Sequence, residues 1–561
     1  MSPLPELELR GRVAPWRRLE WLLLALLIVF GFWLRVRGLS ELGFADDELH
    51  KWMAANRYVH GDFTGDDVEH PMLMKWLIAL SLKIGARFGW APESIVRVPN
   101  VLAGTVSIWV VAQLGRRAFG KLPGLWAAGL AAFSTTFIGY QRIAKEDTLL
   151  GLFLMLLLWC CAEAKAAADD GDTRAQHRWE YLGAASLGAM LASKYFVFFT
   201  PIPVVFYLSV RRLSRWRIPV RRWLWLTAVS FVIFSIINWT PFLPSSWSYW
   251  GAYVNGKTGP VHGSLLFMGE VFHNLPPYWL AGTPAWFYVV FAAVKLSPLT
   301  VLTAIGGLVL ALWQRRPAHR LILSWMGVWF LLLSISGSKW GRFFSSVLPA
   351  FLLLSGYFSA QLFAWWSSRR ISASPSRSVA GAVGARSPAV LVLALVTLAL
   401  WGGEAQASLR YAPHYRLYIN WLGGGDRNVD WFFPHCDYFD AGFRESVAYV
   451  AAHAEPNAEL STEIDWLARY YAEQFGRSDL TYTLVRQGES CRQGRTCYVI
   501  VQAGRLYFLN REAVNNLERL TPWHVESIRG HPAAKVYRLS AGESPFPDES
   551  LASTRASPQA Q

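Results

Sequence analysis

The chain has 561 residues, 53% of them hydrophobic and 29 of them tryptophan, with a mean hydropathy of +0.23. That is too apolar for an ordinary soluble protein and reads as a polytopic membrane protein. A formal charge of +15 does not make it a nucleic-acid binder, because Lys and Arg form short clusters between apolar runs rather than one basic face, the pattern of cytoplasmic loops.

The first apolar run, 19–36, is long enough to span a bilayer. It follows Arg10, Arg12, Arg17 and Arg18 and lacks a small-residue cleavage site, so it reads as an uncleaved span with residues 1–18 in the cytoplasm. Further spans are expected at 95–113, 122–139, 148–162, 223–239, 296–313, 321–335, 343–366 and 388–403. The stretch 181–210 reads either as one long tilted helix or as two short ones broken near Ser193 and Lys194. Clusters at Arg116/Arg117/Lys121, Arg174/Arg178, Arg211 to Arg222, Arg315/Arg316/Arg320 and Arg369/Arg370 all belong on the cytoplasmic side. Both flanks of 181–210 then lie on one side, which requires two crossings. Eleven spans follow, with the N-terminus inside and the C-terminus outside.

On that parity the outer segments are 39–94, 140–147, the turn at Lys194, 240–295, 336–342 and everything after Gly403. Two of them, 39–94 and 240–295, are long enough to fold over the membrane surface, and loops of this length are usually functional. Residues 404–542 read as a soluble extracytoplasmic domain of α/β or α+β type. Helices are predicted at 443–454 and 465–475, and extended segments at 459–462, 480–485, 497–502, 525–528 and 535–539. The Ser/Pro/Ala tail 543–561 and the Ser/Gly/Ala linker 371–387 have the composition of disorder. Cys160 and Cys161 fall in an apolar span, where packing is the expected role. Cys491 and Cys497 fall in the outer domain, where an oxidising compartment allows a disulfide. Zinc is less supported, since no CxxC or HxxxH spacing accompanies them.

Chemistry is sought where charge sits beside the bilayer, since it is costly there unless used. Three carboxylates in a row, Asp46, Asp47 and Glu48, lead into a segment with apolar residues at 49, 52 and 53, the spacing of a surface-lying amphipathic helix. The plain alternative is that Asp46 caps this helix and its neighbours complement the dipole. Glu69 and His70 are a candidate pair for a divalent ion, against the plainer reading of His70 as a hydrogen-bonded loop residue. Lys75 opens an apolar stretch where it either meets a lipid phosphate or snorkels. The turn 140–148 carries Arg142, Lys145, Glu146 and Asp147, the last of which also reads as a helix cap. The turn 336–343 adds Lys339 and Arg342. If the bundle closes on itself, these cations and Lys194 surround one point and offer positive charge to a phosphate.

The order of these features resembles a known family. The Asp-Glu pair after the first span, His70-Pro71 with Lys75, the 142–147 turn before a Leu-rich span, Ser193-Lys194-Tyr195, and Lys339 to Arg342 before a Pro-containing span recur there. So does the stretch after the last span, Pro413-His414-Tyr415-Arg416-Leu417-Tyr418 followed by Asn420-Trp421-Leu422-Gly423-Gly424-Gly425. The chain resembles bacterial members of glycosyltransferase family 39, the dolichyl-phosphate-mannose protein mannosyltransferase-like group of the GT-C superfamily. It is also similar to lipid A aminoarabinose transferases. The resemblance covers roughly residues 15 to 435. Met72 stands where the family usually has a second proline, and the MIR insert of eukaryotic members is absent. Asp47-Glu48 aligns with the family's Asp-Glu pair, with Asp46 as its competitor.

The resemblance implies a GT-C bundle in a bacterial inner membrane that transfers a mannose-like sugar from a polyprenyl-phosphate donor to a protein, lipid or glycan hydroxyl on the outer face, with inversion. It implies Asp47 as the base, with Asp46 and Glu48 as alternatives, and Asp147 orienting the acceptor or sharing that burden. Lys75, Arg142, Lys194, Lys339 and Arg342 are the implied phosphate ligands, Arg342 and Lys194 foremost. No cofactor is required, although Glu69 and His70 leave room for a divalent metal. The main rival is a transporter of ions or solutes. Transporters place charge near mid-membrane and commonly show internal repeats, whereas here the charges gather at one interface and no repeat is evident. A non-catalytic scaffold, the third reading, has no need of clustered outward charge.

Overall fold

The computed structural model describes residues 8–11, 13–63, 70–254, 263–372, 386–485, 491, 495–541, 543 and 545. Glu69, most of the 371–387 linker and nearly all of the 543–561 tail lie outside the described residues. Contacts divide the chain into two units. The first comprises residues 1–41, 50–259 and 284–426, and the second comprises 42–49, 260–283 and 427–561.

The first unit is helical. Its elements are α1 (Arg18–Val36), most of α2 (Asp46–Val59), α3 (Met72–Gly85), α4 (Pro92–Phe119), α5 (Lys121–Phe133), α6 (Thr135–Tyr140), α7 (Asp147–Asp169) and α8 (Thr173–Ser193). They continue with α9 (Pro201–Val210), α10 (Val220–Ile237), α11 (Pro244–Val254), α12 (Phe287–Lys295), α13 (Pro298–Gln314), α14 (Pro317–Ile335), α15 (Leu348–Ser372) and α16 (Arg386–Tyr411). Among the described residues seven helices are long and apolar enough to cross a bilayer: α1, α4, α7, α10, α14, α15 and α16. Two shorter apolar helical segments, Val197–Val210 and Pro298–Gln314, accompany them. The chain is thus a multi-pass membrane protein.

Every one of the eleven expected spans carries a helix, and α8 stops at Ser193, where the charge argument placed the break. Lys194 leaves the helix in extended geometry (φ −154°, ψ 138°). The expected single span 122–139 is instead two helices. Ser134 turns out of helical geometry (ψ 114°), so α5 ends and α6 begins there. Its hydroxyl-rich run Ser134-Thr135-Thr136 is of the kind that competes with the helical ladder, and Thr136 donates its hydroxyl to the Lys295 carbonyl. Two prolines start α4 and α13 at their first turns, where no amide donor is missed. The bundle is built from close neighbours in sequence, α7 on α8 and α4 on α5, and from the long-range pairs α13 with α15 and α1 with α4.

The second unit holds a hairpin, β1 (Ser264–Phe267) with β2 (Glu270–His273), and a five-stranded sheet. That sheet comprises β3 (Glu459–Thr462), β4 (Thr481–Leu484), β5 (Cys497–Gln502), β6 (His524–Ile528) and β7 (His531–Leu539) in the order β4-β3-β5-β7-β6. β3 pairs in parallel with β4 and β5, while β7 is antiparallel to β5 and β6. Its helices are α17 (Val429–Phe432), α18 (Pro434–Tyr438), α19 (Phe443–His453), α20 (Asp465–Gln474) and α21 (Arg511–Leu517). The period of two in β5 serves both faces. Cys497 and Val499 join Ala513 and Leu517 of α21 in one core, while Tyr498 turns the other way to Trp523, which meets Tyr449 of α19. Cys491 and Cys497 are joined as a disulfide, Cα atoms 5.1 Å apart.

Candidate active site

Asp147 opens α7, and its carboxylate, 2% exposed, faces back out of the helix at the turn 141–146. There it meets two cations from remote parts of the chain. Lys194 Nζ donates to Oδ1 at 2.6 Å, and Arg342 Nε lies 3.6 Å from Oδ2. Each cation is also seated on rings. The Lys194 ammonium stands 4.4 Å from the Phe196 ring and 4.3 Å from that of Phe343, and the Arg342 guanidinium stands 4.6 Å from that of Trp340. Burial pushes the Lys194 ammonium down to about 8, against the opposing pull of Asp147. Burial likewise brings Lys339, which donates to the Ser336 carbonyl, down to about 8.

The turn that presents Asp147 is clamped from behind. Asn100, fully buried in the middle of α4, donates through Nδ2 to the carbonyls of Ile143 and Lys145, the latter at 2.7 Å. Gln141 Oε1 accepts from Arg35 of α1 at 2.9 and 2.6 Å. Arg142, 1% exposed, donates to the Pro413 carbonyl at 3.1 Å and lies 4.9 Å over the Tyr415 ring; burial lowers its guanidinium to about 10. Glu146 pairs with Lys51 at 2.9 Å, both side chains fully buried, and stands 3.9 Å from Lys145.

Lys75, in the first turns of α3, donates to the His70 carbonyl at 3.0 Å. The ring of His70 has no two further His, Cys, Asp or Glu groups placed to complete a metal site among the described residues, and Glu69 lies outside them. The first unit thus brings Asp147, Lys194 and Arg342 into direct contact, while Lys75 and Lys339 each rest on a backbone carbonyl a few residues away and Arg142 rests on that of the distant Pro413.

In the second unit the three leading carboxylates separate. Asp46 is the first residue of α2 rather than its cap. Its carboxylate accepts from Trp466 Nε1 at 3.1 Å and lies 3.5 Å from Arg505, and its amide donates to Asp440 at 3.0 Å. Asp440 and Arg505 form a two-bond pair at 2.6 and 2.7 Å; burial is outweighed by that guanidinium, which holds the Asp440 carboxyl below its ordinary range. Glu48, fully buried, reaches back to the amide of Ala45 at 3.1 Å and so closes the start of its own helix. Asp47 between them is half-buried.

Residues 69–239 match the family model described as dolichyl-phosphate-mannose-protein mannosyltransferase. Among solved structures, the chain is similar to ArnT from Cupriavidus metallidurans in the apo state, at 16% identity over 92% of this chain and 97% of that one, with a TM-score of 0.51. It is also similar to the Archaeoglobus fulgidus oligosaccharyltransferase AglB in complex with an inhibitory peptide and a dolichol-phosphate, at 10% identity over 86% and 69%, TM-score 0.52. The same organism's oligosaccharyltransferase tethered with an acceptor peptide containing the NVT sequon aligns at 11% identity over 87% and 69%, TM-score 0.53. No curated protein matches the chain in sequence. At these identities the likeness is one of fold.

Proposed function

Since this chain carries the fold of the GT-C superfamily of membrane glycosyltransferases, we propose that it transfers a sugar, mannose-like by its family resemblance, from a polyprenyl-phosphate carrier to an acceptor hydroxyl on the outer face of a bacterial inner membrane. The observation that carries the reading is the buried meeting of Asp147 with Lys194 and Arg342. Two cations against one carboxylate leave a net positive charge at the end of α7. A phosphate that gains negative charge as its bond to sugar C1 breaks is stabilised by such a centre. AglB, of like fold, holds a dolichol-phosphate.

In the proposed reaction the acceptor oxygen attacks C1 from the face opposite the phosphate while a base takes its proton. The C1–O bond to phosphate breaks, and the polyprenyl phosphate departs with the electron pair. Inversion follows from that single displacement. Asp47 is the proposed base. It takes that role by the alignment of Asp47-Glu48 with the family's Asp-Glu pair; Asp46 is bonded to Trp466 and Arg505, and Glu48 to the start of its own helix. Asp147, gripped by two cations, is a positioning residue for Lys194 and Arg342 rather than a proton acceptor. Lys75, Arg142 and Lys339 are the outer members of the same basic set. The acceptor, whether protein, lipid or glycan, is left to the same assay.

The test is Asp47→Asn in purified, lipid-reconstituted protein supplied with radiolabelled polyprenyl-phosphate sugars and a panel of envelope acceptors. Loss of the base should slow polyprenyl-phosphate release by about 10²-fold or more. Near-normal turnover by the folded variant overturns the assignment, and solute flux without release from the wild type overturns the enzyme reading itself.

A further inference from the structure

Between α7, α8, α9 and α10 lies an open, mainly apolar groove of about 740 Å³. Its walls include Leu157, Gly183, Leu187, Val204, Thr227 and Phe231. One end reaches Tyr195 and Val197, just past the break at Lys194, and the other reaches Trp216, Ile218 and Trp223. The one acid on the wall, Glu180, is fully engaged. It accepts from Gln176 at 2.7 Å and Trp216 at 2.9 Å and pairs with Arg222 at 3.3 Å.

The Trp216 end is set in an unusually basic turn. Residues 211–222 contain six arginines (Arg211, Arg212, Arg215, Arg217, Arg221 and Arg222) and no acid. Arg217 is folded back on the carbonyls of Ser214 and Trp216. The exposed side chains of Arg211, Arg212, Arg215 and Arg221 have no hydrogen bond or ion pair among the described residues. Asp169, which also meets this turn, is already spent, because it accepts from Ser214 Oγ and the Arg215 amide at 2.6 Å and from Lys165 at 2.8 Å. Guanidinium groups without a counter-charge among the described residues are therefore carried by the same turn that supplies Trp216 and Ile218 to the end of a groove that hydrocarbon fills without cost.

We propose that this groove is a binding site for one anionic phospholipid of the inner leaflet, one acyl chain lying between α8 and α10 and the phosphodiester held by Arg211, Arg212 and Arg221. Charge complementarity commits the occupant. Arginine-rich pockets between membrane helices on the cytoplasmic side suit anionic headgroups, and the planar guanidinium matches a phosphate bidentately. A neutral lipid fills the groove and leaves the arginines unanswered. The site is separate from the transfer reaction proposed above, and its readout is lipid binding, so either reading can fail without the other.

The full-length protein, stripped of lipid in neutral detergent, is titrated with dioleoyl phosphatidylglycerol and with dioleoyl phosphatidylcholine, and retained lipid is counted by native mass spectrometry. One phosphatidylglycerol should bind at least about tenfold more tightly than phosphatidylcholine, and R211Q/R212Q/R221Q should erase that preference. Thr227→Trp, which fills the groove from an exposed position of α10, should weaken both lipids while leaving the melting temperature unchanged. Equal retention of the two lipids overturns the proposal, as does full phosphatidylglycerol binding by the triple variant. It also fails if undecaprenyl phosphate displaces phosphatidylglycerol from the wild type but not from Lys194→Gln, because the groove then belongs to a chain entering from the Lys194 end.

Discussion

At the scale of residues, a lysine that is charged only below about pH 8 is a phosphate ligand with a built-in limit. Lys194 and Lys339 both have that property, through burial. In the free protein their ammonium charge is lost as pH rises through about 8, so kcat/KM for the donor should fall across that range; kcat/KM reports the free enzyme. The double variant Lys194→Arg/Lys339→Arg, charged throughout, should stay flat to higher pH. A wild-type profile that is level from about pH 7 to 9 sinks the assignment of these two groups. Stability moves the other way. The folded state holds Lys194 below its ordinary 10.5, so between about 8 and 10.5 the unfolded chain binds more protons and this group's contribution to stability rises with pH. Individually, Asp147, Lys194 and Arg342 are readable from sequence as polar residues in outer turns. Their pairing is not, because no local pattern ties positions 147, 194 and 342. Asn100 and Lys51 escape notice for another reason. Each sits in a pattern with an ordinary explanation, although an asparagine inside an apolar span, next to Pro99, is the kind of intramembrane polar group that warrants suspicion.

At the scale of elements, the bundle is fixed by close backbone approach at a few glycines. A Cβ placed on Gly307 of α13 would strike the Leu354 carbonyl of α15, and one on Gly188 of α8 would strike the Ser230 carbonyl of α10. Small residues at such crossings let membrane helices pack where no hydrophobic force drives them together. Gly307→Val must therefore part α13 from α15, an overpacking cost of about 1–3 kcal/mol or more. Its melting temperature, followed by fluorescence-detected size exclusion, should drop clearly. Gly327→Ala on α14, with nothing within 4 Å of the new carbon, is the control and should hold or gain stability. An unchanged Gly307→Val melt contradicts the close-packed crossing. The α8–α9 break was readable from charge parity because arginines flank both ends. By contrast the β1–β2 hairpin was hidden. Its two-residue turn, Met268-Gly269, takes positive φ at both positions (51° and 78°), yet methionine stands where Asn or Asp usually signals such a turn.

At the scale of the whole molecule, the second unit draws on three stretches far apart in the chain, 42–49, 260–283 and 427–561. Reading along the sequence finds the third, whose strands alternate and end at turns. It misses the other two, because a short segment leaving a membrane helix carries no periodicity that names its eventual partner. Sidedness is a property of the whole, and two independent features bear on it. Positive clusters call for an even number of crossings between 178 and 211 and for an odd total, which would separate the termini across the membrane. The Cys491–Cys497 disulfide, closing a loop worth about 2 kcal/mol by chain entropy, belongs in an oxidising compartment. The expectation is then a cytoplasmic N-terminus and a sheet-bearing unit outside. Fusion of green fluorescent protein to the N-terminus should therefore give fluorescent cells. The same protein exported behind the C-terminus should stay dark, while alkaline phosphatase fused there should be active. With a thiol reagent that cannot cross the membrane, Cys491 and Cys497 should label only after reduction from outside. Fluorescence from the C-terminal fusion would invert the topology and move the Asp147 cluster to the cytoplasmic face, where an outward-facing transfer reaction has no acceptor.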